Sequence, residues 1–265
     1  MPLITRVGLV PPSSPRVRRA RALALSVILL AAACGSDGPE DADPTTTTTE
    51  APSTTTTVPE PVGVEVAQAK ASSIDVYPSE DAAVPDRQVV SGVDTSVDTI
   101  PIVFLVRSSG DARHEVYLPV RPNGSVGWVD ATEVSLSRVP YRIEVGISEH
   151  RIRVFDGDEV IVDEPVGVGR QDRPTPGGVY YLKELLQPPD PNGPYGTYAY
   201  GLSGFSNVLT SFNGGAGVIG IHGTNEPDAL GTDVSSGCIR VHNDVIERLV
   251  EEIGLPLGTP VEIQA

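Results

Sequence analysis

The segment 221–241 reads IHGTNEPDALGTDVSSGCIRV, and it contains the two side chains on which the interpretation of this chain depends, those of His222 and Cys238. The apolar residues just before His222 predict that this histidine ends a strand. Cys238 follows Gly237 in a polar loop. Fifteen residues separate the histidine from the cysteine, which is enough for the loop to fold back on the strand.

A cysteine near a histidine is typical of nucleophilic catalysis. A free thiol, with a pKa of about 8.5, is mostly protonated at neutral pH and needs a nearby base or cation to react. His222 is the candidate base, whereas His242 precedes a helix and is expected to lie at the surface or to cap that helix. Gly237 would let the backbone approach an acyl group, with its N–H and that of Cys238 as an oxyanion hole. A lone cysteine is also commonly a small buried hydrophobe, so the residues alone leave both interpretations open.

The composition favours a β-rich protein and argues against nucleic acid as a partner. The 27 glycines and 25 prolines indicate frequent turns and few long helices. All 35 acidic residues lie after residue 33, so the body of the chain lacks the clustered cations that phosphate contacts require. No metal or cofactor is expected, since one cysteine in the body and scattered histidines show no ligand spacing. These histidines are His114, His150, His222 and His242.

The N-terminus is typical of an exported protein. Residues 1–33 carry five arginines and then the apolar run 22–33, which is too short to span a bilayer and predicts a signal peptide. Small residues before Cys34 and polar residues after it resemble a bacterial lipobox, which implies lipidation of Cys34; simple cleavage without lipid is the alternative. Residues 34–61 form a Thr/Pro-rich linker with too little apolar surface to fold.

Residues 62–137 are predicted to form the first of two β-rich units. Short segments of alternating apolar and polar residues flank the turn signal Pro-Asn-Gly-Ser at 122–125. That turn and the Gly-Trp-Val at 127–129 resemble a small bacterial SH3-like β-barrel. We expect Trp128 to belong to the core or a hinge rather than to a ligand platform.

Residues 139–265 are predicted to form the second unit, again from short strands separated by glycine and proline turns. One short helix is expected near the C-terminus, capped by Asn243 or Asp244 and stopped by Gly254. The predicted fold class is therefore mostly β.

This second unit resembles the YkuD-type L,D-transpeptidase catalytic domain. The signature of that family is a His-Gly pair, a loop of similar length, and then Ser-His-Gly-Cys followed by an apolar residue and often Arg. His222-Gly223 matches the pair and SSGCIR at 235–240 matches the block, with Ser236 in place of the usual histidine. Further matching segments are Gly169 with 174–178, 201–206 and 257–261. The resemblance implies a YkuD-like β-sandwich or barrel with one short helix.

The resemblance also implies roles for the residues of the signature. Cys238 would be the nucleophile and His222 the base, oriented by the carbonyl of Gly223. The implied substrate-binding positions are Ser235, Ser236, Gly237 and Arg240. For Arg240, a bond to a substrate carboxylate and a structural ion pair are equally compatible with the sequence. The implied substrate is a peptidoglycan stem peptide, joined to a second stem by a 3→3 cross-link through a Cys238 thioester, and carbapenems are the implied inhibitors.

The sequence is also compatible with functions other than 3→3 cross-linking. Water as the acceptor would make the protein an L,D-carboxypeptidase, and a protein lysine would make it an anchoring enzyme. A non-catalytic wall-binding lipoprotein would fit the SH3-like unit and Ser236, but the presence of both His222 and Cys238 favours an enzyme. The expected location is the cell membrane, through lipid on Cys34, facing the cell wall. The sequence does not indicate an oligomeric state.

Overall fold

The structure is a computed structural model that describes residues 63–91, 100–212 and 215–264. The predicted signal peptide, Cys34 and the Thr/Pro-rich linker lie outside these residues. Within the described ranges, no helix is long and apolar enough to cross a membrane.

The N-terminal part consists of antiparallel strands, as the alternating sequence pattern predicted. They are β1 Val64–Ala69, β2 Ser73–Val76, β3 Arg87–Val90, β4 Val103–Ser109, β5 Arg113–Tyr117, β6 Val126–Asp130 and β7 Val134–Val139. Five of them form a sheet in the order β6-β5-β4-β1-β7, and β2 pairs with β3. Ala67, Phe104, Val116 and Val129 are fully buried inside it, while Trp128 is half-buried. The assignment of these strands to the SH3-like class stays a prediction.

The C-terminal part is built around a larger sheet. Its strands are β8 Tyr141–Gly146, β9 Arg151–Asp156, β10 Glu159–Pro165, β11 Val168–Gly169, β12 Gly178–Leu186, β13 Ala199–Phe205, β14 Val218–His222, β15 Asp233–Ser235, β16 Ile239–Arg240 and β17 Pro260–Gln264. Eight of them form one sheet in the order β10-β9-β8-β17-β12-β13-β14-β16, and β11 pairs in parallel with β15. The prediction of a mostly β fold is confirmed.

The predicted short helix is present, but it is capped by His242, for which capping was one of the two expected roles, and not by Asn243 or Asp244. Helix α1 spans Asn243–Glu247 and continues as a π-helical turn over Arg248–Glu252. Its N-cap is His242, whose side chain accepts a hydrogen bond from the N–H of Asp244 at 3.4 Å. Gly254 follows with φ +68°, the left-handed conformation that commonly ends helices. Asn243 therefore does not cap the helix, and its side chain accepts a hydrogen bond from the N–H of Thr224 instead.

The two parts share a hydrophobic core. Val66, Val103 and Leu105 of the N-terminal sheet belong to the same buried cluster as Ile143 and Val261 of the C-terminal sheet. Contact is close, since a side chain on Gly258 would clash with Val66. Burying this aliphatic surface on both sides stabilises the contact between the parts.

Candidate active site

Parallel pairing of β14 and β16 positions the histidine and the cysteine. His222 is the last residue of β14 and pairs with Arg240, and Ile221 pairs with Ile239. Cys238 directly precedes β16, so the loop between the strands returns to its starting point. This agrees with the loop geometry predicted from the spacing. His222 and Cys238 line one cavity of about 130 Å³.

The imidazole of His222 is buried and held in one orientation. Its Nδ1 lies 2.6 Å from the carbonyl oxygen of Gly223, and the side chain of Tyr195 packs against the ring with centroids 4.9 Å apart. Because a carbonyl only accepts hydrogen bonds, Nδ1 carries the proton and Nε2 is left as the basic nitrogen. Burial lowers the pKa of His222 to about 4, aided by the charge of Arg240 and opposed by the bond to Gly223. The imidazole is therefore neutral at pH 7.

Asn243 supports this histidine through a single peptide group. Its Oδ1 accepts a hydrogen bond from the N–H of Thr224 at 2.9 Å. That N–H belongs to the same peptide unit as the Gly223 carbonyl that holds His222. Adding a Cβ to Gly223 would place it 2.2 Å from this Oδ1, so only glycine fits between Asn243 and the strand end. Asn243 thus fixes the peptide that orients the imidazole.

The Cys238 thiol is half-buried at the wall of the cavity. Burial raises its pKa, whereas the backbone amide of Gly220 and the positive charge of Arg240 lower it. Desolvation is the largest of these influences, so the thiol is protonated at neutral pH. The cavity therefore holds a neutral thiol and a neutral imidazole at rest, and deprotonation has to accompany attack on the substrate.

The residues just before the cysteine bond within their own loop. Ser235 Oγ donates to the carbonyl of Cys238 at 2.5 Å and accepts from the N–H of Gly237 at 3.0 Å. Gly237 has φ +117°, a conformation that favours glycine. Because this N–H already has a partner, Gly237 would have to leave Ser235 before it could serve as an oxyanion donor. Contacts of Ser235 and Gly237 with substrate stay predictions.

Ser236 and Arg240 also line this cavity. Ser236, which stands where the family usually has histidine, accepts a hydrogen bond from Arg173 Nη1 at 3.3 Å. Arg240 Nη1 forms an ion pair with Glu226 Oε2 at 2.6 Å, which is the structural alternative considered for this arginine. Its Nε is buried and has no hydrogen-bond partner among the described residues. Arg240 therefore combines an ion pair with an electrostatic effect on both His222 and Cys238.

The described part of the chain contains no candidate metal site. Across residues 63–91, 100–212 and 215–264, no group of three His, Cys, Asp or Glu side chains could hold a metal ion.

The C-terminal part of the chain is similar to known proteins. The family model described as the YkuD L,D-transpeptidase catalytic domain matches residues 140–263. The putative L,D-transpeptidases YkuD of Bacillus licheniformis and Bacillus subtilis are 34% and 36% identical over 125 residues, which cover 47% of this chain and 66% of each relative. A solved L,D-transpeptidase from Mycobacterium smegmatis aligns with a TM-score of 0.39 at 18% identity, covering 72% of this chain and 99% of the other. The chain thus spans just under two thirds of the length of these curated relatives. From the family match and the two relatives, residues 140–263 are a YkuD-type L,D-transpeptidase catalytic domain.

Proposed function

We propose that the protein is a peptidoglycan L,D-transpeptidase that forms 3→3 cross-links between stem peptides. The observation that carries this proposal is the shared cavity of Cys238 and His222, in which the Gly223 carbonyl leaves Nε2 of the imidazole free to take a proton. A nucleophile, a base and a group that orients the base are the parts that acyl transfer requires.

The first half of the reaction transfers an acyl group to sulfur. His222 Nε2 takes the proton of the Cys238 thiol as Sγ attacks the carbonyl carbon of the third stem residue. The new C–S bond forms, the C–N bond to the terminal D-Ala breaks, and His222 returns the proton to the departing amine. Arg240 stabilises the thiolate character that develops on sulfur, since its charge lowers the pKa of Cys238. The product is a thioester.

The second half transfers the acyl group to an amine. The side-chain amine of another stem attacks the thioester, His222 accepts its proton, and the C–S bond breaks to restore Cys238. With water in place of the amine the enzyme would be an L,D-carboxypeptidase, and with a protein lysine it would be an anchoring enzyme. We further propose that a carbapenem acylates the same sulfur, because opening its strained lactam also gives a thioester.

Product analysis tests the proposed function. The purified protein is incubated with a disaccharide-tetrapeptide, and the products are read by mass spectrometry. We expect a cross-linked dimer that has lost one D-Ala. A tripeptide alone would identify a carboxypeptidase, and unchanged substrate together with no carbapenem adduct would contradict the enzyme assignment.

We also propose that the protein is a lipoprotein at the outer face of the cell membrane. The support is the lipobox-like sequence that ends at Cys34 after an apolar run too short to remain as a membrane span. The intact mass of native protein extracted from membranes is expected to correspond to a chain that begins at Cys34 and carries acyl chains. The Cys34→Ala variant should no longer be found in membranes. A soluble native protein with a free thiol at this position would contradict lipidation.

A further inference from the structure

A turn of the N-terminal part reaches the wall of the cavity that contains Cys238. The turn between β5 and β6 carries Arg121, whose guanidinium donates three hydrogen bonds to backbone carbonyls. Nη1 bonds to Ser206 at 2.7 Å, and Nη2 bonds to Leu209 and to Ala216, each at 3.0 Å. All three acceptors belong to the loop between β13 and β14, termed here the wall loop (residues 206–217, of which 206–212 and 215–217 are described).

Asn123, on the same turn, binds the residue that precedes the wall loop. Its Nδ2 donates to the carbonyl of Phe205 at 2.7 Å, and its Oδ1 accepts from the N–H of Phe205 at 2.9 Å. The guanidinium of Arg121 also lies 4.8 Å from the centre of the Phe205 ring. The turn therefore binds the end of β13 through both the N–H and the carbonyl of Phe205.

The wall loop forms one side of the catalytic cavity. Leu209, Phe212 and Gly217 line that cavity together with His222 and Cys238.

Burial alone does not hold the wall loop in place. Phe212 is 42% exposed and Val208 is 52% exposed, so these two apolar side chains are not packed into the core. Its two limbs are joined to each other between Ser206 and Gly217 at 2.8 Å. The guanidinium of Arg121 binds both limbs, since Ser206 and Leu209 lie on the first and Ala216 on the second.

We propose that Arg121 and Asn123 are positioning residues of the active site, which set the wall loop against Cys238 so that the cavity accepts an acyl donor. The inference rests on the proposed function for the identity of that donor. Hydrogen bonds from a charged guanidinium to carbonyls are among the stronger ones in proteins, and the planar group fixes the relative positions of its acceptors. A small displacement of the wall would move the acyl group away from the sulfur.

A purely structural role predicts a different outcome. The contact between the two parts is maintained by the aliphatic core around Val66, Val103 and Leu105, which does not include the turn. Two of the three bonds from Arg121 are exposed to solvent, so their loss should change the free energy of unfolding little. Loss of Arg121 should therefore impair acylation without unfolding the protein.

The test compares Arg121→Ala and Asn123→Ala with Arg113→Ala in the full chain. Arg113 is a matched control because it also donates to backbone carbonyls, those of Glu80 and Ala82, and pairs with Asp130, all within the N-terminal part. Three readouts are taken: the rate of carbapenem adduct formation by intact mass, the rate of alkylation by iodoacetamide, and hydrogen exchange in peptides from the wall loop.

For Arg121→Ala we expect carbapenem acylation to slow by roughly 10- to 100-fold, the effect of displacing a reacting group by about an ångström. Alkylation should stay within about twofold, because a small reagent needs only the thiol. Wall-loop exchange should accelerate in Arg121→Ala and Asn123→Ala but not in Arg113→Ala.

Two results would overturn the positioning role. One is unchanged acylation and unchanged exchange in Arg121→Ala; the other is an equal loss of acylation in Arg113→Ala, which would assign the effect to general stability. If the wild-type protein neither forms an adduct nor converts the tetrapeptide, the proposed function fails, and hydrogen exchange alone decides whether Arg121 fixes the wall loop.

Discussion

Replacement of Cys238 by alanine is expected to abolish both cross-linking of stem peptides and formation of a carbapenem adduct. The change removes the only nucleophile proposed for the thioester and deletes a single sulfur atom from a half-buried side chain. The two serines next to the nucleophile lack a base among their partners, because Ser235 Oγ is bonded to the backbone of Cys238 and Gly237 and Ser236 Oγ is bonded to Arg173. Product mass spectrometry and intact mass of the drug-treated protein measure the two losses.

The other cysteine of the chain provides the control for this variant. Cys34→Ala should keep full transfer activity in the purified protein, since Cys34 is proposed to act in anchoring alone. Circular dichroism and thermal unfolding of Cys238→Ala should match the wild type and show that the fold is intact. Substantial cross-linking by folded Cys238→Ala, or an adduct on a different residue, would refute the assignment of the nucleophile.

The sequence predicted those features of the site that depend on local pattern. The apolar run before His222 and the polar loop before Cys238 identified a strand end and a return loop, and β14 and β16 are arranged in that way. The resemblance to the YkuD-type family, rather than local pattern, implied that the carbonyl of Gly223 orients the histidine, and the 2.6 Å contact of that carbonyl with Nδ1 is present.

Features that depend on tertiary contacts could not be predicted from the sequence. Asn243 has the residue type and place of a helix cap, and nothing local distinguishes a cap from a side chain that crosses to Thr224. Arg121 lies 85 residues from Ser206, and a turn signal gives no indication of what the turn will touch. Gly220 acts on Cys238 through its backbone amide, which has no sequence signature. Each of these residues becomes informative only when the sheet order is known.

The resting protonation state also required the structure. The sequence suggested a thiolate activated by a base, whereas burial raises the pKa of Cys238 and lowers that of His222. Both shifts oppose a preformed thiolate–imidazolium pair, and the site is better described as a general base acting on a thiol. The role of His222 is therefore to accept a proton as the C–S bond forms.

Replacement of His222 by glutamine is accordingly expected to slow acylation at pH 7 by about 10²–10⁴-fold, the usual contribution of a positioned base. Glutamine fills similar space but cannot take a proton, so the variant depends on the small fraction of thiol that ionises in water. The acylation rate of His222→Gln should rise as pH increases well above 7, so that it comes closer to the wild-type rate at high pH. The wild-type rate should hold as pH falls from 7 towards 5, because the imidazole stays neutral down to about pH 4. Stopped-flow or intact-mass acylation rates across this range measure both profiles.

His242→Gln is the matched control, because His242 caps helix α1 at the surface and is not among the residues that line the cavity. Its acylation rate should stay near that of the wild type, and a large loss there with a normal rate in His222→Gln would transfer the role of base to His242.

Unfolding gives an independent check on the burial of His222. Between pH 6.5 and about 4 the unfolded chain takes up a proton that folded His222 does not, so the free energy of unfolding decreases as pH falls through this window. This contribution of His222 to the free energy of unfolding is fully present above pH 6.5 and amounts to about 3 kcal/mol. His222→Gln should lose this part of the pH dependence while the contributions of the carboxylates remain. Equal slopes for the two proteins would mean that His222 is more accessible to protons than its 5% exposure implies, and that burial does not lower its pKa.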